Sequence, residues 1–248
     1  EQAAEVRALV QRLGGLDARA EGSSLGPPVA VEVQGAAPVL ALAGLRVAPT
    51  HVAGSVEEAV AAAATVGYPV VLKAQQRSTL ARTVGEGFAL DLVDEAALRS
   101  AWARMAAGLG ERAAPAVVQP MLPMGVDVAI AVSEHPEVGP VLSLGPGGAS
   151  AALDAAVDLR VLPVTDRDAQ RLVAGSRLAP LLDEGARRCL EEVIMRVSAV
   201  VEAAPEIHRL TANPVIVRPD GATFTDVALE VTSVETQPLP PLRRVGET

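Results

Sequence analysis

The second half of the chain packs several short apolar runs close together, and this limits its fold more than any other feature. Ala116–Gln119, Val126–Val132 and Pro140–Leu144 each have strand length, with only turn residues between them. Parallel neighbours need a crossover of a dozen or more residues, so these spacings favour an antiparallel sheet. Two further strands are predicted at Leu210–Val217 and Phe224–Val231, joined by the turn Pro219-Asp220-Gly221. Before them, Leu190, Val193, Ile194, Val197, Val200 and Val201 recur at helical spacing and mark one long amphipathic helix. Thr165 is placed to cap a shorter helix running to about Ala174.

The first half mixes helices and strands. Ser55 followed by Glu58 reads as a capping box for an Ala-rich helix ending at Gly67. Tyr68-Pro69 then leads into the strand Val70-Val71-Leu72-Lys73-Ala74. Gly87–Leu92 alternates like a second strand, and Asp94 caps a helix with Leu98, Trp102 and Met105 on one face. Upstream, Val47-Ala48-Pro49-Thr50 is extended and a short helix is expected over Pro38–Leu45. Residues 1–13 read as a helix and Gly14–Gly35, rich in Gly, Ser and Pro, as a linker, so organised structure is expected from Ala36. The class is α+β.

At 248 residues the chain exceeds the usual single-domain size, which suggests two intimate lobes. Half the residues are hydrophobic but only 2% are aromatic, so the core must be built from Ala, Val and Leu in numbers. A net charge of −9 with no Lys/Arg run argues against a nucleic-acid partner. There is no apolar run of membrane-spanning length and no signal-like start, so no membrane partner and a cytoplasmic location are expected. The first residue is Glu1 rather than Met, which reads as a piece of a longer chain. The only cysteine, Cys189, falls in the long helix pattern and reads as a small core side chain, which excludes a disulfide framework.

Common catalytic signatures are missing: there is no GxxxxGK[ST] phosphate loop, GxSxG elbow or HExxH helix. His51, His135 and His208 stand far apart and read as structural or surface residues. Lys73 is more informative because it interrupts an apolar strand. It can offer its ammonium to a phosphate, or pack its stem at a sheet edge with the amine in water. Gly145-Pro146-Gly147-Gly148 follows a strand, so it is either a tight turn or a loop whose N–H groups approach an anion. Asn213-Pro214 either starts a turn or offers an Mg²⁺ ligand.

Taken in order, Ser55–Ala74, Val117–Gly125, Gly139–Gly148, Arg160–Asp166 and Asn213–Ile216 resemble the ATP-grasp domain of ADP-forming acyl-CoA synthetases. The resemblance runs from about Ala37 to Val231 and includes the bacterial proteins that fuse this domain to a GNAT acetyltransferase. The first helix and the tail ending Pro240-Pro241-Leu242-Arg243-Arg244 also look like the segments that flank the domain in such fusions. The resemblance implies an ATP-grasp fold of two lobes with a nucleotide cleft between them. Residues 1–35 would be helix and linker, 36–118 the first lobe, 119–235 the second and 236–248 a tail.

It also implies roles. Lys73 holds phosphate oxygens of ATP or ADP; Val117, Val118 and Gln119 form the adenine hinge; Asp127 takes the acidic position after it. Gly147 and Gly148 belong to the nucleotide site, and Asn213 is an Mg²⁺ ligand. The chain departs from the family at three places: Ala81 stands where a phospho-accepting His is usual, Ala152 where Glu is usual, and Thr211 where Asp is usual. Arg82, beside the first of these, either offers a guanidinium that can pair with phosphate oxygens without a metal or is a solvated loop arginine. If each lost metal ligand is worth ~2 to 4 kcal/mol, phosphoryl transfer would slow by ~10³ or more while binding suffers less.

Three functions follow: an acyl-CoA synthetase domain with weakened or lost transfer, acting with a CoA-ligase domain; a non-catalytic nucleotide-binding module regulating an attached acetyltransferase; or a structural, dimerising domain. The resemblance assigns acyl specificity to the CoA-ligase domain, so it leaves the acyl substrate open.

Overall fold

A computed structural model of the chain describes residues 2–13, 29–31, 33–75, 87–152 and 157–232. The elements follow in the order α1 (Gln2–Leu13), β1 (Val29–Val31), α2 (Val33–Leu42), β2 (Arg46–Val47), β3 (His51–Ala53), α3 (Val56–Val66), β4 (Val70–Ala74) and β5 (Phe88–Leu92). Then come α4 (Glu95–Leu109), β6 (Ala116–Pro120), β7 (Val126–His135), β8 (Gly139–Pro146), β9 (Asp158–Val161), α5 (Asp166–Gly175), α6 (Glu184–Ala203), β10 (Ile207–Arg218), β11 (Gly221–Phe224) and β12 (Val227–Val231). Short 3₁₀ turns occupy Gly110–Ala113, Gly148–Ala152 and Ala179–Leu181.

The strands form two sheets. The smaller runs β3-β6-β4-β5 and is antiparallel throughout. The larger has eight strands in the order β1-β12-β10-β7-β8-β9, with β11 beside β10 and β2 beside β11. Only the β11–β2 pair in it is parallel. The close spacing of the apolar runs gives the antiparallel pair β7-β8, but β6, expected in the same sheet, lies in the small one between β3 and β4, and the third strand of the meander is β9, which the apolar pattern did not mark.

Each sheet has its own core. Ala53, Ala59, Ala63, Val70, Leu72, Leu98, Met105 and Val118 pack together where α3 and α4 cover the small sheet. The larger core joins inward residues of the big sheet, such as Ile130, Leu142, Leu144 and Leu210, to Leu172 of α5 and to Leu190, Ile194 and Val197 of α6. Phe224 is the only aromatic side chain in it, consistent with a core of aliphatic residues.

Helix ends follow local chemistry. Ser55 Oγ accepts the Glu58 N–H at 3.3 Å, while the Glu58 carboxylate takes the Gly54 N–H at 2.7 Å, one residue earlier than a full capping box requires. Asp94 caps α4 through the Ala97 N–H at 2.8 Å, and Thr165 with Asp168 forms a complete box on α5.

The N-terminal part differs from expectation. Val6 and Val10 of α1 are buried in the larger core, and Arg7 and Gln11 both donate to Oε1 of the buried Glu206 at 2.8 Å. β1, inside the expected linker, pairs with β12 and extends the sheet. The helix expected over Pro38–Leu45 begins earlier, at Val33, and ends at Leu42. Ala36, Val39 and Leu40 of α2 and Leu45 join the larger core, although their place in the sequence put them with the first lobe. The physical reason is pairing: β2 lies against β11, which draws this stretch onto the big sheet. Among the described residues no helix is long and apolar enough to cross a membrane.

Candidate functional site

The two sheets meet at a two-residue bend. The expected strand Phe224–Val231 is in fact β11 and β12, broken at Thr225 and Asp226. The Thr225 carbonyl lies where two small-sheet side chains converge. Gln119 of β6 donates to it at 2.8 Å and Lys73 of β4 at 3.5 Å. Gln119 also donates to Thr50 Oγ1 at 2.8 Å and is only 2% exposed. Lys73 is 9% exposed, so the solvated-edge alternative does not describe it. β6 lies between β3 and β4, which fixes both side chains at the junction.

The bend is anchored on the other side. Thr225 donates its N–H and its hydroxyl to the Pro214 carbonyl at 3.2 and 3.0 Å, and Asn213 N–H donates to the Asp226 carbonyl at 3.0 Å. Asn213 and Pro214 interrupt the β10–β7 register between Ala212 and Val215. Asn213 Oδ1 then accepts the Gly148 N–H at 2.8 Å, which ties the glycine loop to the same corner.

Asp127 sits on β7 with its carboxylate against Gly148. A Cβ at Gly148 would collide with that carboxylate, and the residue has φ +59, so only glycine fits without strain. Partial burial raises the Asp127 carboxyl above the ordinary aspartate value, and the nearby Lys73 ammonium pulls in the opposite direction without cancelling it. Lys73, Asp127, Gly148, Asn213 and the bend are therefore one connected cluster.

The remaining candidates are placed differently. Val118 has its side chain in the small-sheet core and its backbone paired on both sides, with His51 and Leu72. Val117 is likewise flanked by Val52 and Lys73. Val117 shares the opposite face of the sheet with Lys73 and Gln119, and β3 flanks β6 only as far as Val118. The Gly147 N–H donates to the Asp127 carbonyl at 2.9 Å. Both glycine amides are thus engaged within the protein, and the loop holds Asp127 and Asn213 in place instead of presenting an open anion nest. Ala81 and Arg82 lie outside the described residues. Thr211 is exposed on β10.

Sequence reasoning missed Thr225 and Asp226. The available signal was the polar pair itself, which breaks an otherwise apolar run at Phe224-Thr225-Asp226-Val227.

Comparison with known proteins identifies the fold that carries this cluster. The beta subunit of acetate–CoA ligase (ADP-forming) I from Pyrococcus furiosus is 26% identical over 241 residues, covering 92% of this chain and 99% of the relative. A trans-feruloyl-CoA synthase is 29% identical over 236 residues, and there the match takes in only 33% of the relative's length. Among solved structures, the dinucleotide-forming acetyl-coenzyme A synthetase 1 of Ca. Korarchaeum cryptofilum, in complex with coenzyme A and Ca-AMPCP, superposes with a TM-score of 0.72 at 24% identity. That superposition covers 89% of this chain and 99% of the other and shows a shared fold. The ATP-grasp domain family matches residues 29–231, from the first strand of the large sheet to its last, and the chain belongs to that family.

Proposed function

We propose that the chain binds ATP or ADP where its two sheets meet, as the nucleotide module of an ADP-forming acyl-CoA synthetase-type protein with weakened phosphoryl transfer. The observation that carries this reading is the buried Lys73, which enters from the small sheet onto the bend that also holds Asn213 and Asp226. A buried ammonium next to a carboxylate and a carbonyl is already desolvated and oriented, so an incoming phosphate would gain a charge-assisted hydrogen bond at little ordering cost.

Mg²⁺ suits the residues present. It favours hard oxygen donors, and the corner brings the Asn213 amide and the Asp226 carboxylate onto adjoining backbone joined at 3.0 Å. These two residues would hold the ion, which when bound neutralises charge on the phosphate oxygens. Asp226 supplies a carboxylate at a corner where the sequence, with Ala152 and Thr211, had lost two. Gln119 keeps the Thr225 carbonyl fixed, and the Gly148 amide holds the Asn213 side chain by its oxygen.

The CoA-ligase functions belong to another domain or subunit, as the beta-subunit designation of the Pyrococcus relative suggests. A cytoplasmic location fits this role. The replacements at Ala81, Ala152 and Thr211 favour a second reading, in which nucleotide binding regulates an attached domain such as an acetyltransferase. Calorimetric titration of ATP and ADP with and without Mg²⁺ tests both. Metal-dependent binding supports the first reading and metal-independent binding the second; a chain that binds neither nucleotide refutes both.

A further inference from the structure

β9 is the last strand of the large sheet and its outer edge has no neighbour among the described strands. Its ladder with β8 pairs Arg160 with Leu142 and Asp158 with Leu144, and the Leu162 N–H donates to the Pro140 carbonyl at 2.9 Å. In an antiparallel ladder the bonded pairs alternate, so residues 158, 160 and 162 face β8. Residues 157, 159 and 161 turn their N–H and C=O groups outward. The Leu159 carbonyl accepts a hydrogen bond from the Arg160 guanidinium at 2.7 Å, as an outward carbonyl can.

The side chains of those outward residues are apolar and open to solvent: Val157 is 50% exposed, Leu159 54% and Val161 50%. An exposed edge bearing an apolar row is a template for pairing with another strand. Asp158 and Arg160 lie between them on the opposite, helix-covered face, where Arg160 also acts on the Asp168 carboxylate at the start of α5.

We infer that β9 is a docking edge for a second copy of this chain, joined antiparallel about a two-fold axis through Leu159. The sequence complements itself in that register. Leu159 meets Leu159 as a doubly hydrogen-bonded pair, and Val157 meets Val161 on both sides of it, so three outward residues bond and their side chains form one apolar strip. On the other face Asp158 of each copy stands opposite Arg160 of its partner, which makes two symmetric ion pairs. The axis is perpendicular to the sheet, so the helices of both copies cover the same face, and the two large sheets become one. A one-residue slip would bring Leu159 against Arg160 and lose both ion pairs, so charge as well as pleat selects the register. Edge pairing over so few residues is a small interface, and the association is correspondingly weak.

The test is sedimentation equilibrium of the full chain from low micromolar to near-millimolar concentration, with hydrogen exchange read at both ends. The expected result is a monomer–dimer equilibrium with concentration-dependent protection at residues 157, 159 and 161. Arg160→Asp places like charges opposite each other and should weaken dimerisation by about tenfold or more. The double exchange Asp158→Arg with Arg160→Asp restores complementarity and should restore the dimer. Circular dichroism melts confirm that each variant is folded, and Leu159→Lys offers a second disruption on the other face. A chain that stays monomeric throughout overturns the inference. So does a dimer indifferent to Arg160→Asp, or a double exchange as weak as the single one.

Discussion

Replacing Lys73 separates binding from folding, because its surroundings make the two effects unequal. Its hydrogen bond to the Thr225 carbonyl is long, at 3.5 Å, and that carbonyl keeps the 2.8 Å bond from Gln119 when the ammonium is removed. The Thr225 carbonyl is therefore not orphaned in Lys73→Met, and the methionine retains an unbranched apolar stem beside Val117 and Phe88 on the neighbouring strands. Stability should change by about 1 kcal/mol, chiefly through the lost attraction between the ammonium and the partly buried Asp127 carboxylate. A phosphate, by contrast, would lose a hydrogen bond to a charged group worth about 1.5 to 3 kcal/mol. At 1.4 kcal/mol per decade this is roughly a 10- to 150-fold weaker dissociation constant for ATP or ADP. Lys73→Ala should weaken binding equally but also lower the melting temperature, since it empties the space held by the stem. The assay is calorimetric titration beside thermal melts of parent and both variants. Unaltered affinity in both variants would refute the reasoning, and so would affinity lost only in proportion to lost stability.

Other outcomes follow from the same corner. Gly148→Ala forces a Cβ onto the Asp127 carboxylate at φ +59 and should destabilise the chain by about 1 to 2 kcal/mol in urea unfolding, with weaker nucleotide binding. Gln119→Leu removes two hydrogen bonds made by a buried amide and should cost about 1 to 3 kcal/mol, read in the same unfolding assay. Asp127 holds its proton to higher pH when folded than when unfolded, so its contribution to stability falls as pH rises from the ordinary value of 3.8 through the folded one. Asp127→Asn should therefore be more stable than the parent near neutrality, and the difference should shrink on acidification. With acetate, CoA, ATP and Mg²⁺, the chain alone should release ADP at well under ~1 per second in a coupled assay.

The parts of the fold that were readable in the sequence are those set by local chemistry. Thr165 and Asp94 cap helices because their side chains reach amides three residues on, and the apolar spacing from Leu190 to Val201 fixes which face of α6 is buried. The antiparallel order of β7 and β8 followed from their short connection. α1 was expected as a helix, but its docking and the whole of β1 were not readable, because two buried valines and three residues of strand carry too little pattern, and their partners, Glu206 and β12, lie far along the chain. Lys73 was recognisable as an anomaly in its strand, but whether it faced water or protein depended on Thr225, which lay hidden in an apparently continuous strand. Gly148 was visible as a turn or an anion-facing glycine; the carboxylate and amide that require it come from β7 and β10.

The bend at Thr225 and Asp226 also sets the time at which a binding site can exist. Lys73 and Gln119 reach Thr225 across 152 and 106 residues of chain, and Gly148 reaches Asn213 across 65. Closing loops of that size is slow compared with forming α3 or the β7–β8 hairpin. On a ribosome the small sheet can therefore fold while the residue that will hold its lysine is still unmade. On the proposed function, nucleotide cannot assist those early steps, and it can stabilise only a chain synthesised through β12. Nascent chains halted before Phe224 should already protect α3 and α4 from proteolysis yet gain nothing from ATP, whereas chains released beyond Val231 should gain protection from both.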